Sequence, residues 1–137
     1  MVRVRRLAEM KPLLDTHVFL WSNEGSARLS RRVSHLLADP SNDLFLSAVS
    51  AWEMVLKVQS GKLKLPAKCS VYVPARISQY GILPLPVTMA HVLASESLPG
   101  HHGDPFGRIL VAQGQVEQLT IVTRDPQVRR YRVETVW

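Results

Sequence analysis

At 137 residues the chain has room for one domain with a single core, not for two of ordinary size. Hydrophobic residues make up 46% and charged ones 20%, a globular balance, and no apolar run approaches the roughly 20 residues that span a bilayer, so no membrane partner is expected. The 17 basic residues against 11 acidic ones leave a net charge of +6, which favours an anionic partner such as nucleic acid or an acidic protein; the single Cys69 excludes an internal disulfide and reads as a packing residue.

Residues 1–10, MVRVRRLAEM, have no apolar core region or small-residue cleavage site. They read as a flexible N-terminal arm and not a signal peptide, which favours a cytoplasmic location, with 11–137 as a single domain. In PLLDTHVFLW, residues 12–21, an uninterrupted apolar run suits a strand buried on both faces, and Asp15 stands where that strand meets a helix. Asp15 is either a helix N-cap or a site residue at the carboxyl edge of a sheet, where ligands bind in open α/β folds. Ser30 caps a helix over 31–38, and the turn residues at 39–42 end it before a short strand over 44–46. A helix over 47–60, stopped by Gly61, has Val49, Trp52, Val55 and Leu56 as its apolar face.

A helix with Pro74 near its start follows, then a short edge strand within 81–86, where Pro84 and Pro86 remove ladder donors. Thr88 caps a helix to about residue 95, a loop holds His101 and His102, and Asp104-Pro105 starts a helix reaching about residue 118. Residues 119–123 are the clearest buried strand. Asp125-Pro126 then leads into a basic helix and a strand-like piece over 132–137. The order β-α-β-α-β-α-β predicts an α/β fold, a parallel sheet with helices on both faces.

Taken singly, the acids have ordinary explanations. Asp15, Asp104 and Asp125 stand where N-caps would, and Ser50 to Glu53 fits a capping box. As a set, Asp15 and Asp125 end strands, Glu53 lies inside the helix after a strand, and Asp104 opens a helix near the same sheet edge. Converging carboxylates repel one another unless a cation lies among them, so the set predicts Mg2+ or Mn2+ held by oxygen ligands. Such an ion supports hydrolysis of a phosphodiester by an activated water.

The stretches LLDTHVFLW, SAVSAWEMVLKVQSGKL, HHGDPFGRILVAQ and TIVTRD, in that order, resemble a PIN domain of the VapC toxin type, and the resemblance runs from Lys11 over nearly the whole chain. It implies a three-layer α/β/α domain with a short central parallel sheet of four to five strands. It also implies a Mg2+-dependent ribonuclease, the toxin of a type II toxin-antitoxin system. Such proteins cut RNA, often tRNA, form homodimers, and are held inactive by a cognate VapB-like antitoxin. By position Asp15 matches the first family acid, Glu53 the second and Asp125 the last, with Thr16 and Thr123 placed to orient a ligand or water. Lys57, Arg108 and Arg124 are the candidate RNA contacts.

One departure stands out. Related chains usually read H-x-D-P-F-D-R, and Gly107 occupies the place of the second Asp, which resembles the third metal acid. Asp104, three residues earlier, could approach the metal directly or through water. Glycine inside a helix costs about 1 kcal/mol relative to alanine, so helix stability does not explain it. Either the chain is a natural member with a weakened site, or an active-site Asp was replaced so that a toxic chain could be produced. The alternative function is a catalytically dead module binding RNA or an antitoxin. A zinc or nickel site built on His17, His101 and His102 lacks supporting Cys or E-x-x-H spacing, and a phosphatase using Asp15 as nucleophile lacks a second Asp two residues on. Phe19, Trp21 and Trp52 are expected in the core, with an apolar patch near the first two helices able to seat an antitoxin helix or a second copy.

Overall fold

The computed structural model describes residues 10–101 and 103–137. The expected N-terminal arm, apart from Met10, lies outside these residues, as does His102. Five strands, β1 (Pro12–Leu14), β2 (Phe45–Ser47), β3 (Leu83–Leu85), β4 (Thr120–Val122) and β5 (Thr135–Val136), form one sheet in the order β3-β2-β1-β4-β5. Every pairing is parallel. β1 is central: Leu13 faces Phe45 on one side and Ile121 on the other, while Leu14 faces Leu46 and Val122. That position explains the unbroken apolar run, because all three residues of β1 are buried. β3 lies at an edge, where Pro84 leaves no ladder donor missing from the interior.

Side chains alternate across a strand, and Leu13 and Leu14 accordingly enter different cores. Leu14 joins Phe19 of α1 (Thr16–Glu24), Leu36 of α2 (Arg31–Ala38) and Tyr72 of α4 (Cys69–Tyr80). Leu13 joins Leu110, Val111 and Ala112 of α6 (Pro105–Glu117), with Ala94 of α5 (Met89–Ala94) packed against them. The helix α3 (Ala48–Gln59) gives Met54 to the first core and Val49 to the second. Helices thus cover both faces, a three-layer α/β/α domain. Among the described residues no helix is long and apolar enough to cross a membrane.

Local signals set most boundaries. Asp15, Ser30, Ser47, Thr88 and Asp104 each cap the helix that follows them, and Gly25 ends α1 in the left-handed conformation at φ 62°. Four expectations need correcting. The capping box at Ser50–Glu53 does not form: Ser47, directly after β2, is the cap, and Ser50 is buried inside the helix with its hydroxyl unpartnered among the described residues. The buried face of α3 is Val49, Ser50, Glu53 and Met54, which leaves Trp52 55% exposed rather than in the core. Pro74 sits well inside α4, on its exposed side, where the Ser70 carbonyl it leaves unserved can turn to water. The basic helix after Pro126 is only a 3-10 turn, Val128–Arg130, because buried Tyr131 must return the chain to pair Thr135 with Ile121.

Candidate active site

β1 and β4 are neighbours in register, Leu14 beside Val122, so the residues that leave their carboxyl ends emerge side by side. The Asp15 amide continues the ladder by donating to the Val122 carbonyl at 3.1 Å. Its carboxylate Oδ1 accepts the Val18 amide at 2.8 Å, the N-cap bond of α1. Thr123 is completely buried. Its side chain lies against the Asp15 carboxylate, and its hydroxyl oxygen accepts the Asp125 amide at 3.0 Å. Asp125 Oδ1 in turn accepts the Gln127 amide at 2.8 Å. The cap and the site are therefore the same residues: the bonds that start the next segment also fix where each carboxylate stands.

Burial pushes the Asp15 carboxyl above its ordinary value. The hydrogen bonds from Thr123 and Val18 and the nearby His17 work against that rise, while the Asp125 charge adds to it. Both acids line one open cleft of about 320 Å³, together with His17, Trp21, Arg124 and Pro126. Glu53, on the buried side of α3, is held from two directions. Thr16 Oγ1 donates to its Oε1 at 2.7 Å, and Lys57 Nζ, one turn on, lies 2.6 Å from its Oε2. Glu53 thus reaches Asp15 through the adjoining residue of α1, not through the cleft.

The other candidates have contacts of their own. Asp104 caps α6, its Oδ1 accepting the Phe106 amide at 3.0 Å. Gly107 lies in the first turn of α6 on its buried side. Arg108 directs its guanidinium to the carbonyls of Pro99 at 2.9 Å, Ser95 at 3.1 Å and Leu98 at 3.2 Å, bracing the loop before α6. His17 packs on Trp21 and His101 on Tyr131, so they do not share a site. Among the described residues no three His, Cys, Asp or Glu are gathered closely enough to hold a metal. The structure brings Asp15, Thr123 and Asp125 together, links Glu53 to them through Thr16, and keeps Asp104 in its cap. The aromatic wall of the cleft, His17 and Trp21 with Trp137 behind, carries no sequence signal, because Trp137 reaches Trp21 only through the pairing of β5.

A hard divalent cation fits these donors. They are carboxylate and hydroxyl oxygens, and among the described residues no Lys or Arg forms an ion pair with Asp15. Mg2+ is commonly bound by one or two carboxylates and completes its shell with water, whereas a zinc site usually gathers several nitrogen or sulfur donors and His17 is the one imidazole lining this cleft among the described residues.

Comparison with known proteins identifies the family and the fold. The PIN domain family model matches residues 13–134. Ribonuclease VapC16 of Mycobacterium tuberculosis (strain ATCC 25618 / H37Rv) is 41% identical over 56 residues, a match that takes in 41% of this chain and only 40% of that protein. The backbone is similar to a chain in the crystal structure of VapBC2 from Rickettsia felis bound to a DNA fragment from their promoter, with a TM-score of 0.69 and 13% identity over 93% of this chain and 99% of that one. DNA-bound VapBC from Salmonella typhimurium gives a TM-score of 0.67 at 13% identity, covering 93% and 97% of the two chains. FitAcB from Neisseria gonorrhoeae gives 0.61 at 23%, covering 92% and 96%. At these identities the structural likeness speaks for the fold alone.

Proposed function

The chain belongs to the PIN domain family, and from that premise we propose that it is a VapC-like toxin, a Mg2+-dependent endoribonuclease restrained by a VapB-like antitoxin. The observation that carries this reading is the pair Asp15 and Asp125, set side by side at the carboxyl edge of the sheet with the buried Thr123 between them. Asp15 and Asp125 would hold the metal, with Glu53 and Asp104 contributing from farther out. When bound, Mg2+ polarises a phosphoryl oxygen and lowers the pKa of a coordinated water.

The chain's own residues supply position. Asp15 is fixed by the bonds from Val18 and Thr123, so little reorganisation is needed when a cation and a phosphate arrive. Thr16 orients Glu53, and Lys57 neutralises it. With Gly107 in place of a family acid, the site has less negative charge than the resemblance implies, and we read activity as reduced by that loss. The apolar groove of about 290 Å³ beside α1 and α2, lined by Leu14, Leu29, Leu37, Leu44 and Ile82, suits the apolar face of an antitoxin helix. A homodimer and a cytoplasmic setting belong to the same reading, as does tRNA among the RNA substrates.

Incubation of the chain with RNA in Mg2+, in Mn2+ and in EDTA tests the reading. Cleavage should need a divalent ion and vanish in Asp15→Ala; cleavage in EDTA, or in that variant, would defeat the proposal. Catalytically dead binding to RNA or antitoxin is the second reading, favoured by the lack of a three-acid group among the described residues. It predicts RNA binding with no cleavage under any of these conditions. Because Lys57 already answers part of the Glu53 charge, Lys57→Ala should tighten Mg2+ binding about two- to fivefold, the range of a half-exposed ion pair, as read by calorimetry.

A further inference from the structure

Arg124 stands between Thr123 and Asp125 and lines the cleft with both acids, yet among the described residues it pairs with neither. Its guanidinium carbon instead lies 4.9 Å from the centre of the Trp21 ring and 5.9 Å from that of Trp137. The two indoles pack edge to face at 6.0 Å, and His17 and Arg28 close on Trp21 at 5.7 Å each. A cation on an aromatic face is attracted through the plane of the guanidinium, which leaves its N–H edge for a second partner. The other two basic candidates differ. Arg108 has its donors on backbone carbonyls, and Lys57 is on Glu53.

We infer that Arg124 is a preorganised phosphate-binding residue for RNA, and that Trp21 and Trp137 are the positioning residues that hold it at the mouth of the cleft. This rests on the ribonuclease reading and deepens it. A planar fork of donors matches phosphate oxygens, and a side chain already immobilised loses less entropy when it binds. Shared lining with Asp15 and Asp125 places the bound group at the scissile phosphate or its neighbour. The stack also keeps the guanidinium off the acids, where it would otherwise compete with a metal.

The test is the affinity of a mixed-sequence single-stranded RNA oligonucleotide in EDTA, measured by fluorescence anisotropy over a range of salt. Arg124→Gln should weaken binding about tenfold and make the log–log salt slope shallower by about 0.7, the signature of one lost phosphate contact. Trp21→Leu should weaken binding about threefold without changing the slope, and Trp21→Phe should restore it, since a ring face remains. Trp137→Leu gives the same reading if Trp21→Leu fails to fold. An Arg124→Gln variant with unchanged affinity and slope overturns the inference, as does one that loses antitoxin binding alone, which would assign the guanidinium to a protein partner. If the parent chain cleaves RNA and Arg124→Gln matches it, only this inference fails. If the parent neither binds nor cleaves RNA, the ribonuclease reading fails with it.

Discussion

Gly107→Asp is expected to raise Mg2+-dependent RNA cleavage on the order of 10- to 100-fold, the scale on which metal sites respond to changes in their supporting groups. Position 107 is on the buried side of the first turn of α6. The positive end of the helix dipole favours a carboxylate there, and the H-x-D-P-F-D-R pattern has its second acid at this point. Without divalent ions the added carboxylate must be desolvated near other acids, so the variant should gain no melting temperature in EDTA despite losing a helical glycine. With Mg2+ at about 100 times its Kd, binding to the folded state alone contributes about 2.7 kcal/mol, a rise in Tm of roughly 10 °C for a domain of this size. Thermal melts with and without Mg2+, beside a cleavage assay, check both parts. Parent and variant behaving alike in both would mean that Asp104 or water already completes the site.

Asp15→Asn is expected to abolish catalysis while stabilising the metal-free fold at neutral pH. Burial raises the Asp15 carboxyl above its ordinary 3.8, so the folded state binds the proton more tightly than the unfolded one. The stability from this group is complete below 3.8 and is lost as pH climbs from there through the folded value. At pH 7 the apo protein therefore bears the ionised group as a cost, and Asn removes it. Asn is as good an N-cap as Asp, so the bond to Val18 survives, whereas Asp15→Ala loses a cap worth about 1 kcal/mol. Melts in EDTA should place Asp15→Asn above the parent at pH 7, with the gap closing as pH falls, and cleavage should drop at least about 100-fold. An Asn variant less stable than the parent at pH 7 in EDTA would show that Thr123 and Val18 fully compensate the buried charge.

Much of this arrangement is written locally in the chain. An acid directly after an apolar run gives both the end of β1 and the cap of α1, so Asp15 is legible from five residues, and Ser30, Thr88 and Asp104 mark their helices in the same way. α3 is harder, because Val49, Trp52, Met54, Val55 and Leu56 are spread around the helix and no single apolar stripe says which side is inward. The sheet and α6 decide, and they bury Glu53 while leaving Trp52 against Phe106 at the surface. Ser47 and Ser50 both fit a cap by type; adjacency to β2 selects the first. The convergence of Asp15 with Asp125, and the stacking of Arg124 on Trp21 and Trp137, come from strand pairings between distant parts of the chain, which no local pattern encodes.

The pairing of β1 with β4 joins one of the first segments of the chain to one of the last. During synthesis Asp15 leaves the ribosome early, but its partners Thr123 and Asp125 follow only when the central strand can accept β4. The nascent chain can shape α1 through α4 and still possess no cleft, since one wall of it has not been made. A chain truncated before residue 120 lacks β4 and with it Thr123, Arg124 and Asp125, so it has Asp15 but no cleft.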